Sequence, residues 1–567
     1  MAIRGPRHYC ILIALSTQSA LSFPAPSFIR HSSRASLDDG GRYPIRPSHH
    51  SHDGRRCDDD DDDDDDGCNH EDDDDSTEGI GLYVHIPYCR RRCNYCDFAI
   101  VPVGETAGDA GFERMDRAYV RAVLDEIEVL SSTSSSDGTG GGGDVASTWN
   151  KLRSVYFGGG TPSLAPPSTL SAILDGIRRG FELLDGAEVT IEMDPGTFDE
   201  YYLGAVRDMG FNRISLGVQS FDDSILETLG RAHRRADVHR SVEMIGGVFG
   251  PEGANYSIDL MSGVPGLTLA GWTETLHEAL RMRPMPSHLS LYDLQLEEGT
   301  TFGRWYGVER NGGGVVVAPR STPSYPSRPA LPSSEDTAFM YAYASGYLRY
   351  RDYEHYEISS YAYRDSARGG DGERRRRRRG SNRSRHNQIY WEYNGHWHAV
   401  GLGATSNLNG ERYARPRAMS DYISWTKVLK RDFATRSGEG NANATTRTSP
   451  PWLNGGMRFK SEPRVDEDNN FDDRLLDIVM TRLRTSEGLD LDWVANHGGY
   501  SRTHIEAILR GFELALDLKL GHKDAGKVDG MYGSIRLNDP KGFLFSNHLI
   551  SNIFMELSEL DSGRVKS

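Results

Sequence analysis

From Gly81 onward, short apolar and aromatic runs alternate with longer stretches of helical period, and this alternation limits the possible folds more than any other feature of the chain. Residues 82–86, 154–157, 188–193, 213–218, 255–261 and 287–292 read as strands. Residues 112–130, with Tyr119, Val123, Ile127 and Leu130 at helical spacing, read as the first helix, and 168–184 as the second. Repeated βα units require parallel pairing, because each helix carries the chain back to start the next strand in the same direction. The expected class is therefore α/β. Six strands fit a doubly wound sheet or a partial barrel.

The first strand runs through Pro87 into Cys89-Arg90-Arg91-Arg92-Cys93-Asn94-Tyr95-Cys96, a basic, aromatic loop with three thiols. Soft sulfur ligands at this spacing select zinc, Cu(I) or an iron-sulfur cluster. A [4Fe-4S] cube held by three cysteines keeps one iron free for a small molecule. The competing reading is a closed zinc site with His85 as fourth ligand. The other cysteines, Cys10, Cys57 and Cys68, all precede this loop. A disulfide framework would scatter pairs through the fold, so the clustering favours ligation in a reducing compartment.

Composition separates folded from extended chain. Hydrophobic residues make up 37% of the 567, and 62 are glycine, so much of the length is outside a packed core. The net charge of −17 is mostly local: Asp58 to Asp66 and Glu71 to Asp75 supply fourteen acids, a solvated spacer over 57–79. The folded part is nearly balanced and calls for no nucleic-acid partner. Arg4 and Arg7, the apolar core Tyr9 to Leu15 and small residues to Ser22 form a signal-like pattern, too short for a membrane span. Phe23 and the basic, acid-free stretch to Ser36 follow like a transit peptide. Residues 1–56 therefore read as an organelle-targeting presequence that resembles those of algae with complex plastids, with a mitochondrial address as the alternative. Low-complexity segments at 311–336, 364–385 (six consecutive arginines from Arg374) and 436–465 read as insertions or linkers.

The string from Leu82 to Phe98, L-Y-V-H-I-P-Y-C-R-R-R-C-N-Y-C-D-F, resembles the radical S-adenosylmethionine (SAM) superfamily. Within it, the chain is similar to the HemN/HemW branch, which comprises oxygen-independent coproporphyrinogen dehydrogenases and haem-chaperone relatives. The resemblance implies a radical SAM partial (β/α)6 barrel over 80–310 and a continuation over 337–435. It also implies a small C-terminal winged-helix-like domain over 466–567, carried by Met480 to Leu489 and Gly542 to Asn547. Implied cofactors are a [4Fe-4S] cluster on Cys89, Cys93 and Cys96, SAM, and haem. Tyr83 and Tyr95 match positions that bracket SAM, and Gly159, Gly160 and Thr161 match the loop at its methionyl end. Glu192 matches a SAM-binding acid, and Gln219, Arg231 and Asp259 match further polar contacts.

Asp97 and Phe98 stand where the dehydrogenases carry a further cysteine, two residues after the third, and this favours the HemW type. The string His386-Asn387-Gln388-Ile389-Tyr390-Trp391 resembles the HemW signature associated with haem. It makes His386 a candidate axial ligand, with Asn387, Tyr390 and Trp391 beside it; the alternative is that His386 only braces the fold. The implied function is a haem-binding chaperone with haem-acceptor proteins and a reductant protein as partners. The alternative is coproporphyrinogen III dehydrogenation, so whether the chain is an enzyme stays open, and a zinc-stabilised barrel is a third class.

Overall fold

The computed structural model describes residues 79–104, 109–134, 149–250, 255–308, 327–364, 382–408, 410–438, 473–526 and 531–561. The expected presequence and acidic spacer, and most of each low-complexity segment, lie outside the described residues. All six expected strands form: β1 (Ile80–Ile86), then, beyond the two-residue strands β2 (Tyr88–Cys89) and β3 (Val101–Pro102), β4 (Lys151–Gly159), β5 (Glu182–Met193), β6 (Arg213–Gln219), β7 (Tyr256–Ser262) and β8 (His288–Asp293).

These six strands lie side by side in chain order and all pair in parallel. A doubly wound sheet reverses its order at a switch point. Here the order runs in one direction, which is the winding of a partial barrel. β1 and β6 are buried at every position, as parallel strands covered on both faces should be.

The sheet is wider than the sequence indicates. β9 (Tyr353–Glu357) and β10 (Ser360–Tyr363) form an antiparallel hairpin on β8. A seventh parallel strand, β11 (Trp397–Val400), pairs with the outer edge of β1, and β12 (Thr405–Leu408) and β13 (Glu411–Ala414) extend it antiparallel. The second helix also ends earlier than its periodicity indicates, at Gly180 rather than 184. A Cβ at Gly180 would lie 2.7 Å from Ser131 Oγ, and the chain then turns into β5.

The helix Ala110–Ser134 packs against helices Pro167–Gly180 and Met419–Gly438. Its buried Glu126 accepts from Arg415 Nε (2.7 Å), Tyr422 OH (2.6 Å) and Gly401 N (3.1 Å), so this carboxylate is paired as burial requires.

The C-terminal region has its own core, with Val479, Leu483, Ile508, Phe512 and Ile553 among its residues. Helices Asp473–Arg482, Arg502–Asp517 and Ser546–Asp561 surround a small sheet of β14 (Leu489–Asp490), β15 (Gly521–Asp524) and β16 (Ser534–Leu537), in the order β14-β16-β15. That is the winged-helix-like arrangement. Asp539 ties it to the larger domain through His355 Nδ1 (2.8 Å) and Ser345 Oγ (2.6 Å). No helix among the described residues is long and apolar enough to cross a membrane.

Candidate metal centre and ligand pocket

The cysteine loop leaves the C-terminal end of β1, and β2 and β3 pair beneath it, with Val103 N donating to Cys89 O at 2.8 Å. Its far side is held by Asn94, whose backbone N–H donates to Leu229 O (2.9 Å) and whose side chain donates to Thr228 O (2.8 Å). Cys89, Cys93 and Cys96 are free thiols, and all three face one pocket of about 150 Å³. Burial raises the Cys89 thiol well above its ordinary range and pushes Cys96 up to about 11, so thiolates there need a cation as partner. Thr161 Oγ1 donates to Cys89 Sγ at 3.7 Å and Arg231 Nη1 to Cys93 Sγ at 3.8 Å. Hydrogen bonds to ligating sulfurs are one means by which a protein tunes an iron-sulfur cluster.

His85 is not placed to complete a zinc site. Its Nε2 donates to the Ala99 carbonyl at 2.8 Å, so Nδ1 accepts from Tyr83 OH at 3.2 Å. Burial lowers its pKa to about 4, and the ring is a neutral strut under the loop.

Gly158 to Thr161 close β4. Gly159 and Gly160 line the pocket and are also pressed against protein neighbours. At Gly159, with φ of +111°, a Cβ would lie 2.4 Å from the His85 ring; at Gly160 it would lie 2.7 Å from Tyr88 O. The glycines thus let the end of β4 press against the cysteine loop. Glu192, at the end of β5, accepts from Tyr156 OH (2.8 Å) and Gly159 N (3.0 Å), and burial raises its pKa to about 7.

Gln219 ends β6 with φ of 65°, just after a register shift that follows Leu216. A non-glycine residue in that region stores about 1–3 kcal/mol of strain, and such strain gathers at functional sites. Gln219 Oε1 and Asp259 Oδ1 are buried without a partner, and both residues line the pocket. Asp259 Oδ2 accepts from Ser215 Oγ (2.9 Å), while burial raises its pKa to about 6. Two acceptors without donors are what a ligand carrying ammonium and hydroxyl groups would satisfy. Tyr83, Tyr95 and Arg231 line the same pocket, so the structure brings all ten expected SAM and cluster positions outside the glycines to one wall system with Gly159 and Gly160.

Asp194 was missed in the sequence. It is ion-paired with Arg231 and accepts from Thr161 Oγ1 at 3.3 Å. The available signal was its position two residues after Glu192, just past the C-terminal end of β5, where barrel folds keep their ligands.

The His386 string forms a helix, Arg385–Trp391, capped by Ser384, outside this pocket. His386 is 1% exposed; Nδ1 is bonded to Ser154 Oγ (2.8 Å) and Nε2 to Tyr390 OH (2.9 Å). Asn387 Nδ2 donates to Glu357 Oε1 at 3.1 Å, and the Trp391 carbonyl accepts from Arg482 Nη1 at 2.9 Å. The adjoining cavity of about 30 Å³ has space for about two waters, not a macrocycle. Both imidazole nitrogens are occupied in this structure, which is the arrangement of the alternative reading, in which His386 braces the fold.

A sheet wound in one direction, with three cysteines at the end of its first strand and unpartnered acceptors on later strands, defines a radical SAM protein. The Radical SAM superfamily model matches residues 83–279. Coproporphyrinogen III oxidase (HemN) from Escherichia coli has the same fold, with a TM-score of 0.54 at 18% identity over 86% of this chain and 91% of that one. The protein named heme chaperone HemW from Synechocystis sp. is 32% identical over 483 residues, covering 84% of this chain and 97% of its own length. The mitochondrial radical S-adenosyl methionine domain-containing protein 1 of Bos taurus is 31% identical over 58% of this chain and 61% of that protein. The chain belongs to the HemW family.

Proposed function

We propose that this protein is a haem-binding chaperone that carries a [4Fe-4S] cluster and SAM and delivers haem to acceptor proteins, with a reductant protein serving the cluster. The observation that carries the reading is similarity along nearly the whole length of a protein named as a heme chaperone. Phe98 supports it, since it lines the pocket at the position where the dehydrogenase pattern has a fourth cysteine.

In this reading Cys89, Cys93 and Cys96 each hold one iron, and Arg231 and Thr161 donate to two of the sulfurs. Tyr83 and Tyr95 flank SAM, Gly159, Gly160 and Thr161 form the rim near its methionyl end, and Glu192, Gln219 and Asp259 accept from its polar groups. A bound cluster and SAM supply one-electron chemistry that side chains lack.

The test is direct. Anaerobically reconstituted protein should bind haem with a changed absorption spectrum and convert little or no coproporphyrinogen III in the presence of SAM and reductant. Release of 5′-deoxyadenosine in the same vial shows whether the preparation cleaves SAM. Robust protoporphyrinogen IX formation without haem binding overturns the reading in favour of the dehydrogenase.

An organellar address goes with this function. The mammalian relatives are named mitochondrial; the plastid address rests on residues 1–56 alone. A reporter fused to those residues should enter the plastid and lose that import when Phe23 is replaced. Mitochondrial entry corrects the organelle, and diffuse cytosolic signal removes the presequence reading.

A further inference from the structure

The His386 imidazole is bonded at both nitrogens in this structure. Its contacts lead back to the pocket. On β4, Ser154, Tyr156 and Gly158 alternate and so share one face. Ser154 bonds His386 Nδ1, the Tyr156 ring lies 5.1 Å from the His386 ring at an interplanar angle of 24°, and Tyr156 OH donates to Glu192. The far nitrogen of His386 is fixed by Tyr390, whose own ring packs edge-on against Trp397 at 4.7 Å.

Two glycines leave space for this arrangement. A Cβ at Gly81 would lie 3.1 Å from His386 Cε1, and one at Gly158 would lie 2.8 Å from Glu192 Oε1 and 2.7 Å from Tyr156 Cε1. The helix is also anchored on the strand that carries the acid: Glu188, four residues before Glu192 on the same face of β5, accepts from His386 N at 3.1 Å.

We propose that His386 and Tyr390 are positioning residues for Glu192: they fix the ring of Tyr156, whose hydroxyl sets where the Glu192 carboxylate stands in the pocket. The consequence for ligand binding rests on the reading of Glu192 as a SAM contact. The positioning itself rests on the contacts alone. The string thereby serves the SAM pocket from behind, one layer removed from any ligand.

Infrared difference spectra, with Glu192→Gln as the reference, isolate the carboxyl band of Glu192 in the cluster-free full chain. The groups facing it are Tyr156, Tyr292, Tyr390, Asp194 and Asp259. The Tyr156 hydroxyl favours the ionised form, so Tyr156→Phe should move the band's midpoint to higher pH. His386→Ala should move it in the same direction, Tyr390→Phe less so, and His386→Phe, which keeps a flat face against Tyr156, should restore most of the wild-type midpoint. Calorimetry with SAM on reconstituted protein should show about fivefold to tenfold weaker binding in Tyr156→Phe and His386→Ala, the size of one ordinary hydrogen bond lost. The double variant should be no worse than the weaker single one.

An unchanged midpoint in folded His386→Ala or, if that variant does not fold, in Tyr390→Phe overturns the proposal. So does an altered haem spectrum in His386→Ala with the midpoint in place, which would return the residue to haem ligation. If the midpoints move but wild-type protein binds no SAM, the positioning stands and the functional reading of Glu192 fails.

Discussion

Arg231 donates to Cys93 Sγ while its other amino group is ion-paired with Asp194, so one guanidinium ties the cysteine loop to the end of β5. It also donates to the Gly217 carbonyl at 2.9 Å, which joins β6 to the same point. Removing this cation leaves Asp194 and the pocket acids without their counter-charge. Arg231→Met should therefore lower unfolding stability by about 3 kcal/mol, in the range found when one partner of a buried pair is lost. Urea melts of the cluster-free protein measure this. Arg231→Lys, which keeps the charge but not the fork, should recover only part of it.

Loss of one ligating thiolate exposes a second iron of the cube. Cys93→Ala should fall well below the four irons per chain of the reconstituted parent and lose its brown colour, while circular dichroism still shows a folded barrel. Cys57→Ala and Cys68→Ala should keep the full complement. Four irons retained in Cys93→Ala would remove that residue from the ligand set.

Stability of the cluster-free protein should depend on pH through Glu192. Burial raises its pKa in the folded state to about 7, above the ordinary glutamate value of 4.5. Between these values the folded form holds a proton that the unfolded chain has released. The contribution is complete below the unfolded pKa and is lost as pH rises through about 7. Urea midpoints measured from pH 4.5 to 8 should fall across that window, and Glu192→Gln should flatten the part due to this group.

Gly159→Ala combines two penalties. The position has a φ of +111°, and the added Cβ would lie 2.4 Å from the His85 ring, which is held by the Ala99 carbonyl. A loss of about 2–4 kcal/mol is expected from backbone strain and overpacking together. Gly186→Ala, also at positive φ (71°) but with open space around its Cβ, should show only the backbone part.

The strand positions of the barrel were legible because buried parallel strands read as apolar runs, and the cysteine loop was legible because its spacing has a chemical meaning. β11 was not, since Trp-His-Ala-Val is four residues long and borrows its stability from the outer edge of β1. Helix periodicity ran past Gly180 because Phe181, Leu183 and Leu184 continue an apolar pattern that the strand uses instead. The site residues were named largely by resemblance, and their convergence on one pocket is a product of strand ends that no local pattern contains. The choice between ligand and brace for His386 was not legible for a physical reason. Sequence shows that an imidazole is present, not whether its two nitrogens are already bonded.

The place of β11 has a consequence for the growing chain. β1 is bordered on one side by β4 and on the other by a strand that begins at Trp397, some three hundred residues later. Until that segment leaves the ribosome, the strand carrying the cysteine loop presents an open hydrogen-bonding edge, a hazard for association with other chains. The pocket wall contributed by Gly403, Ala404 and Arg417 arrives later still. Cysteines at 89–96 must therefore wait for residues beyond 400 before their chamber closes, so a cofactor can be enclosed only once that later segment has been made.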